Sequence, residues 1–472
     1  MIFNSIEFLI FGLLFFVAWP YFKKQNQRRW VFLTFMSFIF YGWWDWRFLF
    51  LIIGSGLIDY FCGLAITKYP LKKRLLLIIS LIGNLGSLSV FKYSTFFANI
   101  ADDICQWFNI NSHFSTSIPE FAIILPVGIS FYTFQSLSYT IDIYRGRLKP
   151  TNQIFHFFSY LSMFPQLVAG PIIRARDLLA QLQTDRIASP LQKWNGIKLI
   201  AFGLFQKVVL ADNLSYFIDS AFEGKGNISG SPYWWTVTIA FAFQIYCDFS
   251  GYSLIARGLA KYMGYHFKMN FNHPYLAKNL KMFWERWHIS LSTWFRDYVY
   301  IPMGGSAKGF YFGIVFMWIT MILSGLWHGA NYTFIIWGGL HALFLTIERF
   351  TKLKKRITKL GFGNLAATIT FIQVCIGWVY FRAYNYHQAN DIIAHMFNFS
   401  NLSLNFISTY FDNLFYLWIA IIIEICVSLR RKYSSIYTFY KKHNLDIIMV
   451  ALAIAMSIFM RGEGKQFIYF QF

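Results

Sequence analysis

Between Gly309 and Ile347 the chain carries no Asp, Glu, Lys or Arg, and the middle of that run reads Ser324-Gly325-Leu326-Trp327-His328-Gly329-Ala330-Asn331. A helix needs about 20 apolar residues to cross a bilayer, so the run supplies two spans or one broken pair. His328 then lies either deep in hydrocarbon or at the turn joining two spans. An ionisable group at that depth is costly unless it lines a wet cavity, and it marks a functional site by default. Catalysis inside the membrane is what this run suggests.

The composition agrees. The chain has 472 residues, 57% of them hydrophobic and only 13% charged, where a soluble protein carries about 25% charged residues. Apolar runs recur along nearly the whole length, which predicts an all-α, polytopic membrane protein of about 10 to 12 transmembrane helices plus re-entrant or interfacial helices around a central cavity. One membrane-embedded domain is expected over 1–472, with N-terminal helices in 1–97, a core in 121–348 and C-terminal helices in 364–460. The start, Met1-Ile2-Phe3-Asn4-Ser5-Ile6-Glu7, lacks the basic region of a cleavable signal, and Leu9 to Tyr21 reads as a first span. The five cysteines, Cys62, Cys105, Cys247, Cys375 and Cys426, have no metal-ligand spacing, so packed thiols and no metal are expected.

A net charge of +21 would suggest nucleic acid in a soluble protein. Here the basic residues fall between apolar runs and read as cytoplasmic loop anchors against membrane lipid, with no nucleic-acid partner. The clusters are Lys23, Lys24, Arg28 and Arg29; Lys68, Lys72, Lys73 and Arg74; Arg145, Arg147 and Lys149; Lys352, Lys354, Lys355, Arg356 and Lys359; and Arg430, Arg431, Lys432, Lys441 and Lys442. By contrast 98–120 holds Asp102, Asp103 and Glu120 without a base, and 383–409 also has no Lys or Arg. The positive-inside rule places the clusters in the cytoplasm and these two loops outside.

Polar residues concentrate between 125 and 341: Gln135, Asp142, Gln166, Gln206, Asp212, Gln244, Asp248, Ser250, His288 and His328 stand within or beside apolar sequence. Such groups must pair or face water, so this third builds the cavity, while 1–97 and 364–460 read as spans with few buried polar groups. Lys281 to Asp297 has helical periodicity, with Trp284, Trp287, Leu291 and Trp294 on one face. That pattern predicts one amphipathic helix at headgroup level or dipping in, with His288 on its polar side and within reach of His328.

These words resemble a family. Trp284-Glu285-Arg286-Trp287-His288-Ile289-Ser290-Leu291-Ser292, Trp294-Phe295-Arg296-Asp297-Tyr298, Tyr300-Ile301-Pro302 and Gly304-Gly305 look like the signature of membrane-bound O-acyltransferases, and Leu326-Trp327-His328-Gly329 is similar to that family's histidine motif. Cys247-Asp248-Phe249-Ser250-Gly251-Tyr252, Asn270-Phe271-Asn272 with Pro274-Tyr275-Leu276, Phe164-Pro165-Gln166 with Ala169-Gly170-Pro171-Ile172, and Phe467-Ile468-Tyr469-Phe470 fit its alginate O-acetylation (AlgI-like) branch. The D-alanylation (DltB-like) members share the Trp-His and Trp-Phe-Arg-Asp words, but the Tyr-Ile-Pro-x-Gly-Gly continuation favours the alginate-type branch.

The resemblance implies that His328 is catalytic and His288 is the second motif-borne polar residue. Chemistry concurs: acyl transfer from a thioester to a hydroxyl needs a proton acceptor, and imidazole, with an ordinary pKa of about 6.5, suits that task near neutral pH. Asp248, Ser250, Tyr252, Trp327, Asn331 and Gln135 are expected to support the cavity, with Ser250 and Tyr252 able to satisfy the Asp248 carboxylate locally. A lone histidine among aromatics more often serves packing, and the Trp-His-Gly context is what tips His328 toward catalysis. No bound cofactor is expected. The implied donor substrate is acetyl-coenzyme A, with Arg174, Arg176, Lys281, Arg286, Trp294 and Arg296 as candidates to hold it, although each cation also suits interfacial anchoring.

The implied activity is transfer of acetyl groups across the bacterial inner membrane for O-acetylation of an exported polysaccharide or cell-envelope glycan. The implied partner is a periplasmic SGNH-type (AlgX-like) acetyltransferase or another acyl acceptor protein, since the chain has no Gly-x-Ser-x-Gly elbow. The rival activities are D-alanyl transfer, acylation of a protein or lipid, and a transporter without acyl chemistry; inverted repeats would favour the last, and none is visible.

Overall fold

The computed structural model describes residues 1–119, 126–168, 170–185, 187–224, 230–465, 467 and 468, except 433–444 and the side chains of 430–432. Glu120, Ala169, Lys441, Lys442, Tyr469 and Phe470 lie outside the described residues. Every element described is helical. Among the described residues, six helices are long and apolar enough to cross a membrane: Trp46–Lys68, Pro70–Trp107, Ser231–Met263, Phe310–His328, Gly363–Arg382 and Phe411–Leu429. Ile6–Phe22 and Leu445–Phe459 are apolar but shorter. The exposed faces are those of a chain dissolved in lipid: Leu9, Leu13, Leu14 and Val17 point outward from Ile6–Phe22, while Phe11, Phe15 and Trp19 point in. The protein is an all-α, multi-pass membrane protein, as its composition predicts.

The chain divides into two compact units, the first formed by Met1–Gly196 with Ala256–Lys268 and the second by Ile197–Ile255 with Met269–Phe472. In the first unit the helix Ile129–Tyr144 is buried on all sides from Ile129 to Thr140. It enters from Gly128, which has φ 76° and leaves no room for a side chain, since a Cβ there would meet the Leu167 carbonyl oxygen at 2.8 Å. Around this helix lies a polar knot that corrects the reading of 1–97 as poor in buried polar groups. The Asp59 carboxylate, fully buried, accepts hydrogen bonds from Ser80, Asn84, Ser136 and Thr140, the last two from Ile129–Tyr144. A carboxylate removed from water costs several kcal/mol unless donors replace its hydration, and four donors on two neighbouring helices do so here.

In the second unit the run without charge folds into two helices, Phe310–His328 and Tyr332–Thr351. They approach closely through glycine, as helices in lipid commonly do. A Cβ on Gly325 would lie 2.2 Å from the Phe334 carbonyl oxygen, and one on Gly338 would lie 2.5 Å from that of Met321. Gly363–Arg382 packs along the second helix, where Gly377 makes room for the ring of His341. Residues 364–460 are also less bland than their sequence suggests, because Arg382 and Glu424 are both buried.

The close glycine contact gives a sharp comparison between neighbours. Gly338→Ala should destabilise the protein by about 1–3 kcal/mol through forced separation of the helices. Gly339→Ala, whose Cβ would find only Trp318 at 4.0 Å, should be neutral or stabilising by helix propensity. Thermal midpoints of the two purified variants check this; equal midpoints would remove glycine contact as the reason for the packing.

Candidate active site

His328 is the last residue of its helix, at the turn between the two helices and not at mid-helix. The turn has little freedom. Gly329 is extended, and a Cβ on it would sit 2.0 Å from the Phe334 ring. Asn331 caps the next helix by accepting the Thr333 N–H at 3.0 Å, and its own amide donates to the Tyr384 carbonyl. Asn331 is thus a capping residue of the turn. His328 is buried, and its ring lies 4.9 Å from Trp327, 5.1 Å from Trp337, 5.2 Å from Phe381 and 6.4 Å from His288, centre to centre. An imidazole thus sits in an aromatic enclosure with a second imidazole at its edge.

The second imidazole comes from a segment that the periodicity misread. Lys281 to Asp297 is not one helix: Leu280–Trp284 ends, the chain turns, and Ile289–Phe295 begins. His288 makes the turn with φ 41° and ψ 53°, a left-handed conformation that costs a side-chain-bearing residue roughly 1–2 kcal/mol. The offset comes from the Asn270-Phe271-Asn272 word. Asn270 accepts the Ile289 N–H at 2.9 Å through its carbonyl, and through its side-chain Oδ1 the Ser290 N–H at 3.1 Å and hydroxyl at 2.9 Å. Asn272 donates its N–H to the Arg286 carbonyl at 2.9 Å. The same Oδ1 lies 3.3 Å from His288 Nδ1. An amide oxygen can only accept, so Nδ1 carries the hydrogen and Nε2 the lone pair. Burial pulls the pKa of this imidazole below its ordinary value, which keeps it neutral.

The aromatic face of the segment packs against protein. Trp287 is fully buried against Phe271, Phe283 and Trp378, and Trp294 is buried against Phe295 and Tyr298. Hydrophobic periodicity marked the right residues but could not tell burial in protein from burial in lipid.

Asp248 finds partners other than its neighbours in sequence. Its Oδ1 lies 2.7 Å from Lys207 Nζ, and its Oδ2 accepts the Ile468 N–H at 2.8 Å. Lys207 also pairs with Asp212 at 2.8 Å and donates to the Lys465 carbonyl at 3.1 Å. Both Lys207 and Asp248 are buried. Tyr252 packs at a tilt against Phe467, 4.5 Å between centres, and Phe467 reaches Phe249, whose ring meets His288 edge-on at 4.6 Å. Ser250 is buried in the same helix near Tyr246. Sequence reading passed over Lys207, although a lone lysine beside Asp212 inside an apolar stretch was the available signal.

His328, His288 and Trp327 therefore come together, and Asp248 and Tyr252 connect to them through Phe249 and Phe467. Lys281 and Arg296 do not join them: both point outward, paired with Glu285 at 3.9 Å and Asp297 at 2.7 Å. Arg286 is half-buried on the His288 turn. Gln135 and Arg174 are buried in the first unit, Arg174 at the start of the helix Ala175–Leu182 and Arg176 half-buried within it. The His288–His328 pair offers a proton acceptor and an orienting lone pair within one poorly hydrated enclosure. That is equipment for proton transfer coupled to group transfer.

Known proteins share this chain. A family model described as the membrane-bound O-acyltransferase family matches residues 148–387, which include the Asn270 word and both histidines. A probable alginate O-acetylase of Pseudomonas putida is 38% identical over 86% of this chain and 82% of its own length. A peptidoglycan O-acetyltransferase of Helicobacter pylori is 34% identical over 86% and 81%, and a teichoic acid D-alanyltransferase of Bacillus subtilis is 30% identical over 59% and 73%. The chain belongs to the membrane-bound O-acyltransferase family and is a multi-pass membrane O-acyltransferase.

Proposed function

We propose that the chain takes acetyl groups from acetyl-coenzyme A at the cytoplasmic face of a bacterial inner membrane and delivers them to an exported polysaccharide or cell-envelope glycan, with His328 as general base. The observation that carries this reading is the enclosed imidazole pair, 6.4 Å between ring centres, in a chain whose relatives include two named for O-acetylation. A hydroxyl oxygen attacks the thioester carbonyl carbon while its proton passes to His328. The tetrahedral intermediate collapses with cleavage of the C–S bond, and the proton goes on to the departing sulfur. An imidazole suits this relay because it can both take up and return a proton near neutral pH. His288, with Nδ1–H given to Asn270, presents Nε2 to the acceptor hydroxyl and orients it. Lys281, Arg286, Trp294 and Arg296 of the second unit are the groups offered for the donor's phosphates and adenine.

The acceptor side is proposed to involve a separate periplasmic acetyltransferase, docking on the outward loops 98–120 and 383–409. The charge pattern of those loops and the lack of a Gly-x-Ser-x-Gly elbow support it. The similarity to a teichoic acid D-alanyltransferase favours one second reading, D-alanyl transfer from a carrier protein. Competition between acetyl-coenzyme A and a D-alanyl donor separates the two.

His328→Ala, purified and reconstituted in vesicles with labelled acetyl-coenzyme A, should release free coenzyme A at least about 100-fold more slowly than the wild type. Activity near wild type in correctly inserted protein rejects the general base, and solute flux without thioester loss would make the chain a transporter. Vesicles holding this chain alone should leave a lumenal glycan unacetylated until a periplasmic acetyltransferase is added. Full acetylation without it refutes the partner.

A further inference from the structure

Glu424 is a carboxylate on a membrane-spanning helix, and nothing in the chemistry above uses it. The helix Phe411–Lys432 turns Phe411, Phe415, Trp418, Ile422 and Ile425 outward, and Leu414, Leu417, Ala420 and Glu424 inward. Only 7% of Glu424 is exposed. An ionisable group in a span is there for a partner or a task. The partner is His273, whose Nδ1 lies 2.9 Å and 3.0 Å from the two carboxylate oxygens. The carboxylate also faces Tyr246 and Cys247.

His273 is unusual in its own right. Its backbone is left-handed, with φ 49° and ψ 65°. Residues with side chains rarely adopt this conformation, and it persists where the surroundings over-determine it, commonly beside active sites. His273 follows directly on Asn270-Phe271-Asn272, the word that clasps the turn of His288. One end of that clasp therefore grips the turn through Asn270 and Asn272, and the other is tied across to a different helix through His273. Tyr275, two residues on, adds a hydroxyl bond to the Ala242 carbonyl at 2.5 Å.

We propose that His273 and Glu424 are a positioning pair for His288. Their bond holds the clasp at its far end, so that Asn270 keeps its side-chain Oδ1 on Nδ1 and Nε2 stays aimed at the reacting hydroxyl. The bond stands whether His273 is charged or neutral, because Nδ1–H donates to the carboxylate in either state. This role rests on the acyl-transfer reading of the site; the bond and its grip on the turn do not.

The test uses the full chain in vesicles and four variants: Glu424→Leu, which removes the acceptor; His273→Gly, which removes the ring and relieves the left-handed backbone; the two combined; and Glu424→Gln, which keeps an acceptor oxygen. Amide hydrogen exchange is measured without substrate, and kcat and KM are measured with acetyl-coenzyme A. Glu424→Leu and His273→Gly should each speed exchange in 270–290 while leaving 332–351 unchanged. Each should lower kcat by about tenfold to 100-fold, the scale of a misplaced catalytic group, with KM within about twofold. The double variant should be no worse than either single one, as for two halves of one bond, and Glu424→Gln should retain most of the activity. Exchange in 270–290 that does not move overturns the latch. Faster exchange with kcat unchanged leaves only a structural tie and overturns positioning. Loss of His328 dependence together with faster exchange would sink the acyl-transfer reading while keeping the latch. Should Glu424→Leu fail to insert, His273→Gly, a change at a partly exposed loop position, still decides the question.

Discussion

Close contact between two helices through glycine sets the geometry of the candidate site. Gly325 and Gly338 bring Phe310–His328 and Tyr332–Thr351 together at backbone distance, and Gly329 turns the chain beneath the ring of Phe334. Lipid supplies no hydrophobic push between helices, so this contact must come from shape. With the hairpin closed, His328 can only project into the space bounded by Trp327, Trp337 and Phe381. The rest of the site is built to meet it: a strained turn at His288, held by Asn270, brings the second imidazole to its edge.

A second constraint acts on every polar group in the molecule. Away from water each must find a partner, and the chain meets this with compact clusters. Asp59 gathers four neutral donors in the first unit, Lys207 gathers two carboxylates and a carbonyl in the second, and Glu424 takes the ring of His273. Satisfied clusters of this kind specify which helices meet, because a slipped pairing leaves a buried charge bare.

Much of this was legible in the residues. The long run without charge predicted two spans or one broken pair, with His328 in hydrocarbon or at the turn, and His328 occupies the turn between two helices. The motif words marked the segment bearing His288 and the Asn270 word, and the two prove to be hydrogen-bonded neighbours. What the sequence hid were interactions between distant positions. Periodicity over 281–297 promised one helix, because the Trp, Leu and Trp spacing survives a break that only the hydrogen bonds of Asn270 and Asn272 impose. Asp248 was matched with Ser250 and Tyr252, its near neighbours, whereas its cation stands at Lys207 and its backbone donor at Ile468. Asp59 and Glu424 passed unnoticed because one acid in an apolar helix leaves the hydropathy of that helix almost unchanged, and their partners lie far from them in sequence.

The bond from Lys207 to the carbonyl of Lys465 joins positions 258 apart in sequence. During synthesis Lys207 and Asp248 enter the membrane long before residues 465–468 leave the ribosome. The early charges have each other and Asp212 for company in the interval, which offsets part of their desolvation cost until the late segment arrives. Phe467 reaches the ring beside His288 only after that docking. A chain not yet extended to Phe467 holds both imidazoles without the aromatic wall behind Phe249.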